Sequence, residues 1–252
     1  MIKTYMIDGA KGGLGKTLLC HVLVDFYMHP ETNGLQEQEY PLLLFDADLT
    51  NKDFSTYPIR LPSGKLVPCY AIDLSIIEGW QFIERKVNRY LKNNQSARAI
   101  IHCPSHSFWL MEQGRYDEIG AIMRRINTLT LWLMNKSPLC ILQLQSRQRL
   151  LPNNYQQGVI LLNLYFGRTA DFYYWHHSQF KEDHIHQEGW VEHVIPCLTP
   201  QLSDTLSGIP VNLWFELGIQ DMNLSFGYHL SLNTFRYQIH KTLLAIDSIP
   251  SL

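Results

Sequence analysis

Near its start the chain carries Gly9-Ala10-Lys11-Gly12-Gly13-Leu14-Gly15-Lys16-Thr17, set between a short apolar run, Ile2-Lys3-Thr4-Tyr5-Met6-Ile7, and a longer one that opens Thr17-Leu18-Leu19-Cys20-His21-Val22. A β-branched and aromatic run, a glycine-rich turn and a helical pattern in that order describe a strand whose loop aims a helix N-terminus at a phosphate. The glycines let successive N–H groups turn inward around a polyphosphate. Lys16 is placed to neutralise the β- and γ-phosphates, and the Thr17 hydroxyl to face a divalent metal. The run departs from G-x-x-x-x-G-K-[ST], because Ala10 stands where the first glycine belongs, yet it fits K-G-G-x-G-K-T without adjustment.

The rest of the chain suits such a loop. With 252 residues, 46% of them hydrophobic, it can bury the core of one α/β domain, expected to span 1–252. A formal net charge of -2 and the absence of a basic tail argue against a polyelectrolyte binder. Cys20, Cys69, Cys103, Cys140 and Cys197 are widely spaced with no C-x-x-C pair, so neither a zinc knuckle nor a disulfide framework is indicated and a reducing, cytoplasmic setting is expected. The first residues run straight into a strand, which leaves no room for a signal peptide, and no apolar run approaches the roughly 18 residues that span a bilayer.

Strands and helices alternate along the chain without internal repeat or low-complexity segment. Pro41-Leu42-Leu43-Leu44-Phe45-Asp46, Ala97-Arg98-Ala99-Ile100-Ile101-His102, the run from Leu129 to Asn135, Gly158-Val159-Ile160-Leu161-Leu162-Asn163 and the run from Val191 to Pro196 read as buried strands. Helical patterns lie between them, near 75–92, 113–127, 137–149 and 170–187. Near-continuous apolar strands separated by helices predict a doubly wound, mostly parallel sheet with helices on both faces and a ligand at the C-terminal strand ends.

The segment Lys11-Gly12-Gly13-Leu14-Gly15-Lys16-Thr17 is a deviant Walker A motif and resembles that of the ParA/MinD family of P-loop ATPases. Three further pieces occur in that family's order. Leu43-Leu44-Phe45-Asp46-Ala47-Asp48 is similar to its switch I strand, which ends D-x-D. Leu161-Leu162-Asn163 is similar to the strand whose asparagine reads adenine. Ile195-Pro196, with Leu202-Ser203-Asp204 and Gly208-Ile209-Pro210-Val211 after it, is similar to the late segment in which a proline flanks the base. The resemblance covers roughly residues 1 to 215.

What the resemblance implies is ATP and Mg²⁺ as cofactors and a homodimer formed on ATP binding. It places the loop residues Lys11, Gly12, Gly13, Leu14, Gly15, Lys16, Thr17 and Leu18 about the nucleotide, with Asn163 and Pro196 at its base. Thr17 and Asp46 fall to the metal, Asp46 probing it through a bound water. Asp48 orients the attacking water, Lys16 acts on the phosphates, and Lys11 reaches across the dimer to the partner's nucleotide. Asp46 and Asp48 also suit a second reading, the opening of a solvated turn before Thr50-Asn51.

Several residues depart from the family pattern. His102 stands where a Walker B aspartate is expected, in Ile100-Ile101-His102-Cys103-Pro104-Ser105, and a neutral imidazole lacks the charge that holds hydrated Mg²⁺. Leu18 replaces a second threonine. The stretch 52–74, with Pro62-Ser63-Gly64-Lys65 turn chemistry, predicts a hairpin-like excursion, either a partner-binding element or a tolerated surface loop. His176, His177, His184, His186 and His193 lack the spacing that puts two metal ligands on one helical face, so a wet helix anchored by Phe172, Tyr173, Tyr174 and Trp175 is expected there.

Two functions follow: a dimerising switch ATPase that positions or partitions a cargo such as plasmid or chromosomal DNA or a secretion or conjugation apparatus, and a nucleotide-binding regulatory module with little hydrolysis. An electron-transfer P-loop enzyme is disfavoured, since no cluster-ligating cysteine pair is present. A protein partner is expected. Non-specific DNA contact would rest on scattered residues such as Arg124, Arg125, Arg147 and Arg149. The apolar stripe Phe235, Ile239, Leu243 and Ile246 suits a terminal helix packed on the sheet better than a membrane-surface helix.

Overall fold

A computed structural model of the chain describes residues 2–29, 41–56, 58–61, 64–93, 96–105, 114–151, 157–186, 190–206, 209, 214 and 225–250. Its strands are β1 (Ile2–Gly9), β2 (Leu42–Asp46), β3 (Ile59–Arg60), β4 (Leu66–Val67), β5 (Cys69–Ala71), β6 (Ala97–His102), β7 (Thr128–Met134), β8 (Gln157–Asn163) and β9 (Val191–Ile195). The helices are α1 (Lys16–Met28), α2 (Ile77–Leu91), α3 (Tyr116–Arg125), α4 (Leu139–Leu150), α5 (Tyr173–His176), α6 (Gln179–His186), α7 (Pro200–Leu206) and α8 (Phe226–Asp247). Seven strands form one sheet in the order β5-β2-β6-β1-β7-β8-β9, and every pairing in it is parallel. The expected doubly wound sheet is therefore present.

Alternation along β1 explains the two covered faces. Tyr5 and Ile7 turn toward α1, through Leu19, Leu23 and Phe26, and toward α8, through Phe235, Ile239, Leu243 and Ile246. Ile2 and Met6 turn the other way, onto Trp80 and Ile83 of α2 and Ile119 and Met123 of α3. The stripe on α8 is thus core. Two ionic clusters hold that helix in place: Arg236 donates to both oxygens of Asp25 on α1, at 2.8 and 2.7 Å, and Asp247 accepts from the hydroxyls of Tyr5 and Tyr27 and from the Arg98 guanidinium. The last turn of the helix that follows the glycine loop is thereby tied to the C-terminal helix.

The structure differs from the sequence pattern in three places. The excursion at 52–74 does contain an antiparallel hairpin, β3 with β4, turned at Gly64 with φ +80°, but β5 then joins the main sheet beside β2. Three residues are too few to show a period, so β5 is invisible to pattern reading. The helix expected over 170–187 is broken into a 3₁₀ turn, Thr169–Asp171, then α5 and α6. Ser178 makes the break: its hydroxyl donates to Trp175 O and accepts from the Lys181 N–H, ending one helix and capping the next. Within it Phe172 and Trp175 are buried, while Tyr173 and Tyr174 face outward. Finally Arg147, counted among the scattered basic residues for DNA, is fully buried and unavailable to a partner. Residues 113, 187, 208, 210 and 211, which belonged to other expected segments, lie outside the described residues.

Candidate functional site

β1 is central in the sheet, with β6 on one side and β7 on the other, so the loop after Gly9 opens where the strand order reverses. Gly13 and Gly15 take φ of +73° and +92°, left-handed values open to glycine but costly for other residues. Gly15 is also the N-cap of α1, whose first turn has no acidic residue, so the positive end of the helix is left for an anion. The Asn163 side chain, at the end of β8, clamps the loop: Nδ2 donates to Leu14 O at 2.8 Å, and Oδ1 accepts from the Tyr165 N–H at 3.0 Å. Leu14 turns its own side chain into the core and serves the loop only through its backbone.

Two adjoining cavities share Gly13 and Gly15. The first, about 340 Å³, is lined by Gly12, Lys16, Thr17, Asp48 and His102, and also by Asn51, Asp53 and Ser105. Lys16 is buried and its ammonium donates to Lys11 O at 3.2 Å and Ser105 Oγ at 3.3 Å, both neutral acceptors. The second, about 260 Å³, is lined by Leu18, Asn163 and Pro196 as expected, and by Tyr165, Trp214 and Phe235. One is polar and sized for a phosphate chain, the other aromatic and apolar and suited to a flat ring. The Lys11 side chain is exposed and lines neither cavity. Ser105, Tyr165 and Trp214 were not foreseen; the only available signal was that Ser105 and Tyr165 follow the C-terminal ends of β6 and β8.

His102, at the end of β6, sits between two of the expected metal residues. Its Nδ1 is 3.0 Å from Asp46 Oδ1 and its Nε2 is 3.3 Å from Thr17 Oγ1. The other oxygen of Asp46 accepts from the Ser55 hydroxyl at 2.6 Å and the Ser55 N–H at 3.1 Å. Burial opposes the charge on Asp46, but the hydrogen bonds from His102 and Ser55 outweigh it and hold this carboxyl below the usual range. Asp48 lines the phosphate cavity, and its Oδ1 accepts from the Asn51 N–H at 3.0 Å to close the turn.

The residues present fit a nucleoside polyphosphate: a left-handed glycine pair, a helix N-terminus and a buried ammonium with neutral partners. They fit Mg²⁺ less well. Mg²⁺ favours oxygen donors in a near-octahedral shell, whereas here an imidazole nitrogen faces the loop threonine and the Asp46 carboxylate is occupied by His102 and Ser55.

No family model matches the sequence, and no curated protein matches it. Solved structures do match. The MinD cell division protein of Aquifex aeolicus superposes with a TM-score of 0.52 at 15% identity, over 99% of this chain and 100% of that one. The MinC:MinD cell division protein complex of the same organism gives 0.51 at 16% identity, over 99% and 98%. The chain has a MinD-like fold. In this MinD-like arrangement the ends of β1, β2, β6, β8 and β9 converge on the two cavities, so Gly9, Asp46, His102, Asn163 and Ile195 stand on one rim of the sheet. The histidines of 176–193 are dispersed: His176 and His177 bond the carbonyls of Thr169 and Tyr173, and His184 packs on the Phe180 ring.

A further histidine lies beneath the site. His21, on α1, packs edge-on against Phe54, whose other neighbour is the His102 ring. Burial first, and the neighbouring His102 second, bring its pKa down from 6.5 to about 4. A folded-state value below the unfolded one means that the unfolded chain takes up the proton first as the pH falls. The contribution is full above pH 6.5 and is lost progressively down to about 4, amounting to about 3 kcal/mol. Urea unfolding between pH 7 and 4 is expected to show this loss, and His21→Leu to flatten the profile. An unchanged slope in the variant would show that other groups set the acid limb.

Proposed function

We propose that the chain is a single nucleotide-binding domain over 1–252 that binds ATP, dimerises on it and acts as a slow ParA/MinD-type switch ATPase positioning or partitioning a cargo. The pair of cavities meeting at Gly13 and Gly15 carries this reading, because it provides for a phosphate chain and a flat ring in one continuous site. Lys16 meets the β- and γ-phosphates, Thr17 faces the metal, and Asp48 orients the attacking water from the cavity wall. Asp46 acts on the metal position through His102. The exposure of Lys11 supports its action on a second copy's nucleotide rather than its own. A second reading, a nucleotide-dependent module with little turnover, is favoured by His102 at the Walker B position.

A neighbour solved as a complex of MinD with MinC supports a protein partner as well as the homodimer. Among the described residues no helix is long and apolar enough to cross a membrane, and the α8 stripe is turned inward, which supports a cytoplasmic protein. Arg147 is buried and Arg125 is paired to Glu84, which weakens the case for non-specific DNA contact.

Light scattering with and without ATP tests the assembly. The wild-type chain is expected to double in mass with ATP, whereas Lys11→Ala should keep its ATP affinity within about threefold and remain a monomer. A Lys11→Ala protein that dimerises normally would remove the trans role. Turnover measured in the same samples separates the slow ATPase from the silent module.

A further inference from the structure

The metal position differs from an oxygen-only site in a way that identifies the ion it should take. We propose that His102 Nε2 is a direct ligand of the divalent ion that enters with the nucleotide, and that this site prefers a first-row transition ion that accepts imidazole over Mg²⁺, with Mn²⁺ as its paramagnetic probe. The inference rests on the nucleotide reading above and goes beyond it in assigning the metal and the donor.

The tautomer follows from the neighbours. An ionised carboxylate only accepts hydrogen bonds, so in the neutral ring the 3.0 Å contact with Asp46 Oδ1 places the hydrogen on Nδ1 and the lone pair on Nε2. That lone pair faces Thr17 Oγ1 at 3.3 Å, on the wall of the phosphate cavity. Two adjacent ligands of a six-coordinate ion with bonds of about 2.1 Å lie about 3.0 Å apart. The separation of Nε2 from Oγ1 is therefore already close to that of a ligand pair, and replacing their mutual hydrogen bond by two bonds to one ion needs little movement.

The surroundings are those of a supported metal ligand rather than a loose side chain. A ligating histidine commonly gives its other ring N–H to a carboxylate, which fixes the ring and raises its basicity; Asp46 does this here, and is itself held by the hydroxyl and N–H of Ser55. Phe54 lies against the imidazole, with ring centroids 5.8 Å apart, and the His102 side chain is 3% exposed. Among the described residues no group of three or more His, Cys, Asp or Glu is arranged to hold a metal alone. The ion must therefore arrive with phosphate oxygens as its remaining ligands, beside Thr17 and His102. Imidazole nitrogen suits Fe²⁺, Ni²⁺, Cu²⁺ and Zn²⁺; Mn²⁺, at the weak end of that first-row series, favours oxygen more than they do, whereas Mg²⁺ keeps to oxygen and water.

The test uses the full chain labelled with ¹⁵N-histidine, a non-hydrolysable ATP analogue and Mn²⁺, read by pulsed electron paramagnetic resonance. A ¹⁵N coupling to the Mn²⁺ electron spin is expected, and it should vanish in His102→Gln. The label separates the ring from the nitrogens of the base. By titration the analogue should bind at least about tenfold more tightly with Mn²⁺ than with Mg²⁺, and His102→Asp should reverse that order. Analogue binding in EDTA shows that each variant retains its folded site. Should the analogue bind with either metal and no ¹⁵N coupling appear, the assignment of His102 is wrong while the nucleotide reading stands. Should the analogue fail to bind with Mn²⁺, with Mg²⁺ and in EDTA alike, the nucleotide reading falls and this inference with it.

Discussion

Lys16→Ala is expected to weaken ATP binding by at least about 100-fold, a loss of roughly 3 kcal/mol, while leaving the unliganded fold intact. In the folded chain the Lys16 ammonium is buried, yet among the described residues it meets only a backbone carbonyl and the Ser105 hydroxyl, at 3.2 and 3.3 Å. Neutral partners at these distances compensate little of the cost of withdrawing a cation from water. A phosphate would supply what is missing, through charge-assisted hydrogen bonds that are stronger than neutral ones. The two consequences separate cleanly. Removing the side chain deletes the interaction with the nucleotide, but it also removes a buried charge that the protein by itself leaves poorly paired. Melting without nucleotide should therefore shift by no more than about 2 °C, whereas the upward shift that ATP produces in the wild type should disappear. An unchanged ATP titration in Lys16→Ala would overturn the assignment of the phosphate cavity.

The legibility of this chain followed the range of the interactions. β6 was readable to the residue, Ala97 to His102, because a strand covered on both faces is a near-continuous apolar run. The glycine loop was readable because its chemistry is local: strand, turn, lysine and helix occupy one stretch of chain. His102 was seen to stand at the metal position, but what it does there depends on Asp46 and Thr17, which are 56 and 85 residues away, and no spacing rule connects them. Asn163 was expected near the base; its hold on Leu14 O crosses 149 residues and emerged only when β8 was placed two strands from β1. The break at Ser178 is a different kind of miss. Serine is a signal for both a helix interruption and a polar surface position, and choosing between them requires knowing that its hydroxyl reaches both Trp175 O and the Lys181 N–H.

The same limit hid the ion pair beneath the loop, where the largest stability effect is expected. Arg147 on α4 and Asp8 on β1 are both fully buried, with Nε 3.9 Å from Oδ2, a distance for charge attraction but not for a hydrogen bond. Arg147 Nη2 donates to Thr130 Oγ1 at 2.9 Å, while Nε and Nη1 have no hydrogen-bond partner among the described residues. Asp8 Oδ1 accepts from the N–H of Gly9, the first residue of the phosphate-binding loop, at 2.7 Å. Burial lowers the Arg147 pKa and the Asp8 charge works against that lowering. Arg147→Met keeps most of the volume but removes the Arg147 charge from beside the buried Asp8 carboxylate, and is expected to cost about 3–5 kcal/mol in urea unfolding. Asp8→Asn together with Arg147→Met should recover most of that loss, because an amide needs no counter-charge and its oxygen can still accept from Gly9. The double-mutant cycle then measures the coupling directly. If Arg147→Met alone proves as stable as the wild type, attraction across 3.9 Å does not offset the burial of the two charges. In that case the root of the loop is held by the Asp8 to Gly9 hydrogen bond and the packing around it, without help from the arginine.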